Sequence, residues 1–164
     1  MTALAMAASR ATVEVVLALV TFVAMDFWAA MLHRRFWHGP LWVIHRTHHA
    51  ARVGRFEAND WLSVLHAPIA VALILYGCGG AGRARAAAFA VGVGMTAFGA
   101  AYLVVHDGLV HGRLPVRALL RLAPLRAIVR AHEEHHRGRG GAPYGLLFGP
   151  WELRRNVNEK PESA

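Results

Sequence analysis

The sequence predicts an all-α, multi-pass membrane helical bundle of three spans with interfacial and cytoplasmic helices, carrying a histidine-cluster dimetal site at its cytoplasmic face. Three observations predict it. Three apolar stretches have the length of membrane spans, ten of the eleven histidines fall into four ordered clusters, and the basic residues are distributed unevenly around the stretches. A chain that is 55% hydrophobic yet carries a formal charge of +8 must segregate the two kinds of residue, and this one does. By length its 164 residues form one domain, placed over residues 1–155, with a polar, frayed tail over residues 156–164.

The first span is read from Ala11 to Leu32, where only Glu14 and Asp26 are charged. Trp61 to Gly80 and Ala86 to Val105 contain no Asp, Glu, Lys or Arg and supply the second and third. Each is close to the roughly 20 residues that cross the hydrocarbon core as a helix. A secretory signal peptide fits the first run poorly: the run is too long, its start lacks a strongly basic region, and a histidine cluster follows directly. Cys78 is the only cysteine, which excludes a disulfide within the chain and any four-cysteine metal site. Its simplest reading is a small apolar residue near a helix end. No phosphate-binding GxxxxGK[ST] loop is present, and the sequence brings no nucleotide or flavin fingerprint of its own, since the GxGxxG string at residues 77–82 lies between two apolar spans.

The histidine clusters repeat two spacings in one order. His33 and His38 form HxxxxH and His45, His48 and His49 form HxxHH; His106 and His111, then His132, His135 and His136, repeat the pattern. Imidazoles without thiolates suit iron, zinc, copper or nickel. Ten exceed the ligand count of one ordinary site, so two metals sharing them is the economical reading, with a position left open. A closed structural zinc site is the less favoured alternative. On a helix, HxxHH places three imidazoles in one stripe. Positions five apart lie roughly 140° apart on an ideal helix. The HxxxxH pairs therefore require the helix to end or distort between their members, with Gly39-Pro40 and Gly108 as the breakers.

The second and third spans form a hairpin through residues 77–85, so an odd number of crossings gathers all ten histidines at one membrane face. Only Arg10, Arg83 and Arg85 fall on the opposite side, leaving 15 of 18 basic residues with the histidines. The positive-inside tendency makes that side cytoplasmic. The membrane accounts for the basic excess, and nucleic-acid binding is not expected. Leu114 to Arg130, interrupted by Pro115 and Pro124, reads as a short basic helix lying in the interface rather than a fourth span.

The four clusters, Phe56-Glu-Ala-Asn59-Asp60 and Val105-His-Asp-Gly-Leu-Val-His111 resemble the bacterial β-carotene 3-hydroxylases of the fatty acid hydroxylase/sterol desaturase superfamily. The resemblance runs from about Met25 to Phe148; Gly141-APYGLLFG matches only loosely. It implies a non-haem di-iron monooxygenase that uses O2 to hydroxylate C3 of carotenoid β-ionone rings. The products would run from β-carotene through β-cryptoxanthin to zeaxanthin, and canthaxanthin could similarly give astaxanthin. It implies two irons held by His33, His38, His45, His48, His49, His106, His111, His132, His135 and His136, with zinc an alternative occupant on isolation. Electrons would come from a reduced ferredoxin or similar donor, and the carotenoid from the bilayer lipids. Other readings are a lipid or sterol hydroxylase or desaturase of the same superfamily, and a membrane metal-binding or transport protein.

Smaller signals complete the expectations. Asp26 lies about two turns before His33, and an intramembrane carboxylate points to function; support of a ligand imidazole is its expected role, slightly ahead of a simple interhelical polar contact, and Asn59, Asp60 and Asp107 could likewise orient histidines. Helix capping is an equal reading for Asn59 or Asp60. Glu14 reaches the interface, His66 packs between helices, and Glu133 and Glu134 face water or Arg137. Trp28, Trp37, Trp42, Trp61 and Trp151 form an interfacial belt. Gly92, Gly94 and Gly99 either open a path for a flat polyene or allow close helix packing, and packing is favoured.

Overall fold

A computed structural model describes residues 3–50, 54, 56–137 and 140–158, with the side chains of residues 3–7 left aside. The described residues are helical, with no strand among them. In chain order they form α1 (Ala3–Leu32), a π-helical turn (His33–Trp37), α2 (Trp42–His45), α3 (Asp60–Ser63), α4 (Ala67–Cys78), α5 (Arg83–Tyr102), a second π-helix (Leu103–Val110), a 3-10 turn (Arg117–Arg121), α6 (Ala123–His136) and α7 (Gly149–Asn158).

Three helical stretches are long and apolar enough to cross a membrane: Ala8–Trp37, Asp60–Cys78 and Arg83–Val110. The first and third are longer than the sequence suggested because each π-helix continues its α-helix without a break. Along α1 the apolar residues Val13, Leu19, Val20 and Phe27 all stand exposed, as lipid-facing side chains must.

The chain divides into two compact units: residues 1–25 with 63–100, and residues 26–62 with 101–164. In the first, small residues set the packing. A Cβ on Gly92 would fall 2.8 Å from Ile74 Cγ1 and 2.9 Å from the Ala70 carbonyl oxygen, and one on Gly94 would fall 2.4 Å from the Ala18 carbonyl oxygen. Gly92 and Gly94 are therefore packing residues, whereas nothing lies within 4 Å of a Cβ at Gly99. Phe22 and Phe98 meet edge to face at 5.9 Å. The α4–α5 turn is closed by Arg85, which donates to the Tyr76 carbonyl at 2.6 Å and stacks its cation over the Tyr76 ring. Glu14 lines a cleft with Arg10 and Arg83.

The second unit holds all ten cluster histidines. Its apolar core joins Val105, Ile128 and Leu146, with Tyr102, Leu125 and Leu147 packed around them. Residues 114–130 do not form one helix. The chain is extended at Leu122, and Pro124 sits in the first turn of α6, where its missing N–H costs nothing. The tail expectation also shifts: Asn156–Asn158 are the last turn of α7, and residues 159–164 lie outside the described residues.

Candidate metal centre

The HxxxxH pairs are brought together by widening the helix rather than breaking it. In each, the amide of the second histidine donates five residues back: His38 to the His33 carbonyl and His111 to the His106 carbonyl, both at 3.0 Å. This i→i+5 geometry places the second imidazole above the first. Gly39-Pro40 ends the first π-turn as expected, but Gly108 lies inside the second. Its role is close approach, since a Cβ there would meet Val116 Cγ2 at 2.7 Å.

HxxHH does not point three imidazoles at one place. His33, His38, His45, His49 and His135 form one group whose ligand nitrogens all lie within 4.8 Å of one another; His48, His106, His111 and His132 form another. Each HxxHH thus divides its histidines between two positions. The first sits partly beyond α2, in a turn closed by His48 N–H to the His45 carbonyl and His49 N–H to the Arg46 carbonyl. The second sits at the end of α6. His136 is the tenth, its Nε2 2.9 Å from that of His132 and its ring stacked on His49 at 4.4 Å. The sequence repeat pairs His33 with His106, His38 with His111, His45 with His132, His48 with His135 and His49 with His136. Applied to the first group, that pairing returns the second group with His136 as its fifth member.

The hydrogen bonds show that the first group fits a cation. His33 Nδ1–H donates to the Tyr144 carbonyl at 2.9 Å, His45 Nδ1–H to Asn59 Oδ1 at 2.7 Å and His135 Nδ1–H to the Gly141 carbonyl at 2.6 Å. A neutral imidazole carries one proton, so all three present bare Nε2 lone pairs. Yet His33 Nε2 and His45 Nε2 face each other at 2.9 Å, and His38 Nε2 lies 3.2 Å from both His33 Nε2 and His135 Nε2. Lone pairs at such distances repel unless a cation lies between them. Metal–nitrogen bonds of about 2.0–2.1 Å put neighbouring nitrogens about 2.9–3.4 Å apart, the spacing seen here. In the second group His106 Nε2 lies 3.1 Å from His48 Nε2.

Burial keeps these imidazoles neutral. It is the largest influence on every shifted histidine outside the spans, and the neighbouring histidines push the same way. His38 and His135 are lowered to about 4, His136 to about 3 and His49 to about 2. His45 is lowered, and His48 and His132 fall well below the ordinary range. Neutral imidazole is the ligand form.

The supporting residues divide by histidine group. Asn59 and Asp107 act directly on histidines: Asp107 Oδ1 accepts from His106 Nδ1 at 3.0 Å. Asp60 instead accepts from Arg113 at 2.7 Å and from the Glu57 amide at 3.0 Å. Arg113 was not anticipated from sequence. It lies 3.1 Å from Glu57, which stands 3.5 Å from His48 Nδ1, and 3.7 Å from Asp107. Burial works against its charge, but the Asp60 hydrogen bond and the three carboxylate charges outweigh that and raise its pKa. Asp26 touches no imidazole: its oxygens accept from the amides of Leu146, Leu147 and Phe148. Tyr144 was also missed; its ring lies 5.5–5.6 Å from those of His33, His38 and His135. Trp37 leaves the expected aromatic belt and packs, buried, on His33 and His45. His66 joins neither histidine group. Glu134 pairs with Arg137.

Comparison with known proteins follows the same residues. The fatty acid hydroxylase family model matches residues 18–154. Beta-carotene 3-hydroxylase 1 of Arabidopsis thaliana, a chloroplastic protein, is 44% identical over 132 residues, covering 80% of this chain and 43% of the relative. Chloroplastic beta-carotene hydroxylase 2 of Capsicum annuum matches at the same identity and coverage. Beta-carotene hydroxylase of Pantoea ananas is 40% identical over 134 residues, covering 80% of this chain and 74% of the relative. The chain therefore spans less than half the length of those plant relatives and about three quarters of the bacterial one. No solved structure matches it at a significant level. With a helical frame able to span a membrane, two histidine groups and a family match over most of its length, the chain belongs to the fatty acid hydroxylase family, where it is similar to the β-carotene hydroxylases.

Proposed function

We propose that the protein is a non-haem di-iron monooxygenase of the bacterial inner membrane that hydroxylates C3 of carotenoid β-ionone rings. The observation that carries the reading is the convergence of ten imidazoles into two groups, in a chain similar to proteins named beta-carotene hydroxylase over 80% of its length. His33, His38, His45, His49 and His135 would hold one iron, and His48, His106, His111, His132 and His136 the other. When bound, the irons supply the activation of O2 and the oxidation of the ring carbon, with electrons from a reduced ferredoxin or similar donor.

The chain's own residues hold and orient. Asn59, Asp107 and the Tyr144 and Gly141 carbonyls fix which nitrogen of His45, His106, His33 and His135 points inward. A cleft of about 500 Å³ is lined by charged residues, Arg34, Arg35 and Glu152 among them, as well as by Phe27 and Phe148, and by Tyr144, whose ring lies against the first histidine group. Phe27 and Phe148, stacked at 4.9 Å, form part of its aromatic lining. The protein's contribution is to place the ring carbon and keep competing chemistry away.

Hydroxylation or desaturation of another lipid or sterol is the nearest alternative reading. Expression in a bacterium that makes β-carotene, with iron and a working donor, separates the two. β-Cryptoxanthin and zeaxanthin are expected; β-carotene recovered unmodified from cells with metal-loaded protein would overturn the proposal.

A further inference from the structure

Asp26 poses a problem that the histidines do not answer. It is 1% exposed and lies within a stretch able to span a membrane, where a carboxylate is costly. Its partners are three consecutive backbone amides: Oδ1 accepts from Leu146 at 3.2 Å and Leu147 at 3.1 Å, and Oδ2 from Phe148 at 3.0 Å. Those amides precede α7. Glu152, in the first turn of α7, reaches back to accept from the amides of Tyr144 at 2.8 Å and Gly145 at 3.1 Å.

Two carboxylates therefore hold five consecutive amides of one loop, residues 144–148. Two carbonyls, one in that segment and one three residues before it, accept from the first histidine group. The Tyr144 carbonyl accepts from His33 and the Gly141 carbonyl from His135, both members of the first histidine group. Tyr144 is gripped on both sides of its peptide units: its amide by Glu152, its carbonyl by His33. The second group has different supports, Asp107 on His106 and Glu57 beside His48.

We propose that Asp26 and Glu152 are positioning residues for one metal position only, acting through the Gly141–Phe148 loop on His33 and His135. The inference rests on the ligand assignment given under the proposed function. A helix-capping role alone would steady α7 without distinguishing one metal position from the other; this role makes the distinction.

The test uses the full chain in detergent, freed of metal, loaded with zinc and then dialysed against graded chelator. Wild type should hold two zinc ions. In Asp26→Asn one of the two acceptor oxygens becomes an amide donor that cannot serve a loop amide, and Glu152→Leu removes the single oxygen that accepts from both Tyr144 and Gly145. Each variant should bind one zinc normally and the other 10–100-fold more weakly, the range for lost ligand support. Adding His33→Ala to Asp26→Asn should leave the tightly held ion in place, whereas adding His106→Ala should remove it. Glu152, outside the spans, carries the test alone if Asp26→Asn fails to insert. Wild-type retention of both ions, or equal weakening of both, would overturn the inference. Fewer than two ions in wild type, or two tightly held in His33→Ala, would instead overturn the ligand assignment.

Discussion

Asp26 and Phe148, 122 positions apart, are joined by a 3.0 Å hydrogen bond between a carboxylate oxygen and a backbone amide. The bond ties the end of the first apolar stretch to the start of α7. It also shows how the site is organised: imidazoles from four elements converge, while the groups that aim them lie one hydrogen bond farther out.

Asn59→Leu should weaken metal binding without unfolding the protein. Asn59 is 2% exposed and its Oδ1 accepts from His45 Nδ1 at 2.7 Å, so losing it frees His45 to rotate or change tautomer. Metal retention against a chelator should fall by roughly 10–100-fold. Retention equal to wild type would show that Asn59 serves only to cap α3.

Gly140→Ala should disable the first histidine group, and Gly99→Ala should not. Gly140 has φ +69, and a Cβ there would lie 2.4 Å from His38 Cε1 and 2.8 Å from His49 Cε1, whereas a Cβ at Gly99 meets nothing within 4 Å. Product formation should fall at least tenfold for Gly140→Ala, since a displacement near 1 Å at a catalytic centre can cost about 100-fold. Equal activities for the two variants would contradict this placement.

Arg113→Gln should destabilise the second group's surroundings. Removing the cation leaves Glu57, Asp60 and Asp107 close together with no counter-charge from that position. Breaking such a largely buried network costs on the order of 3 kcal/mol. Thermal unfolding in detergent should show a lower Tm, partly restored by Arg113→Lys.

The metal-free fold should lose stability as pH falls from 7.5 to 4.5. His38 and His135 sit at about 4 in the fold against an ordinary 6.5, so below 6.5 the unfolded chain takes up protons that the fold refuses. Stability contributed by these neutral imidazoles is complete above 6.5 and is lost as pH falls through about 4. A Tm that rises over this interval would contradict the burial of the cluster.

The parts legible in the sequence are those with a period or a composition. The apolar stretches announced the spans, and the repeated spacing named all ten histidines, because helical geometry makes such intervals meaningful. The allocation of His48 and His49 to different groups was not legible, since adjacent residues diverge according to a local turn that no spacing rule fixes. Nor was the π-helical widening at His33 and His106; the need for distortion could be derived, but not its form. Arg113, Tyr144 and Glu152 escaped because they act through backbone groups or carboxylates distant in sequence. Glu57 left a signal, as the acidic residue within Phe56-Glu-Ala-Asn-Asp60, that could have been paired with an Arg.

Whether these ten imidazoles hold two metals is decided by metal analysis of the purified full chain joined to X-ray absorption. Two metal ions per chain are expected, with a first shell dominated by imidazole nitrogen, falling to one ion when His33 and His38 are both replaced by Ala. A single ion in the wild-type chain, or a first shell dominated by oxygen or sulfur, would contradict this assignment.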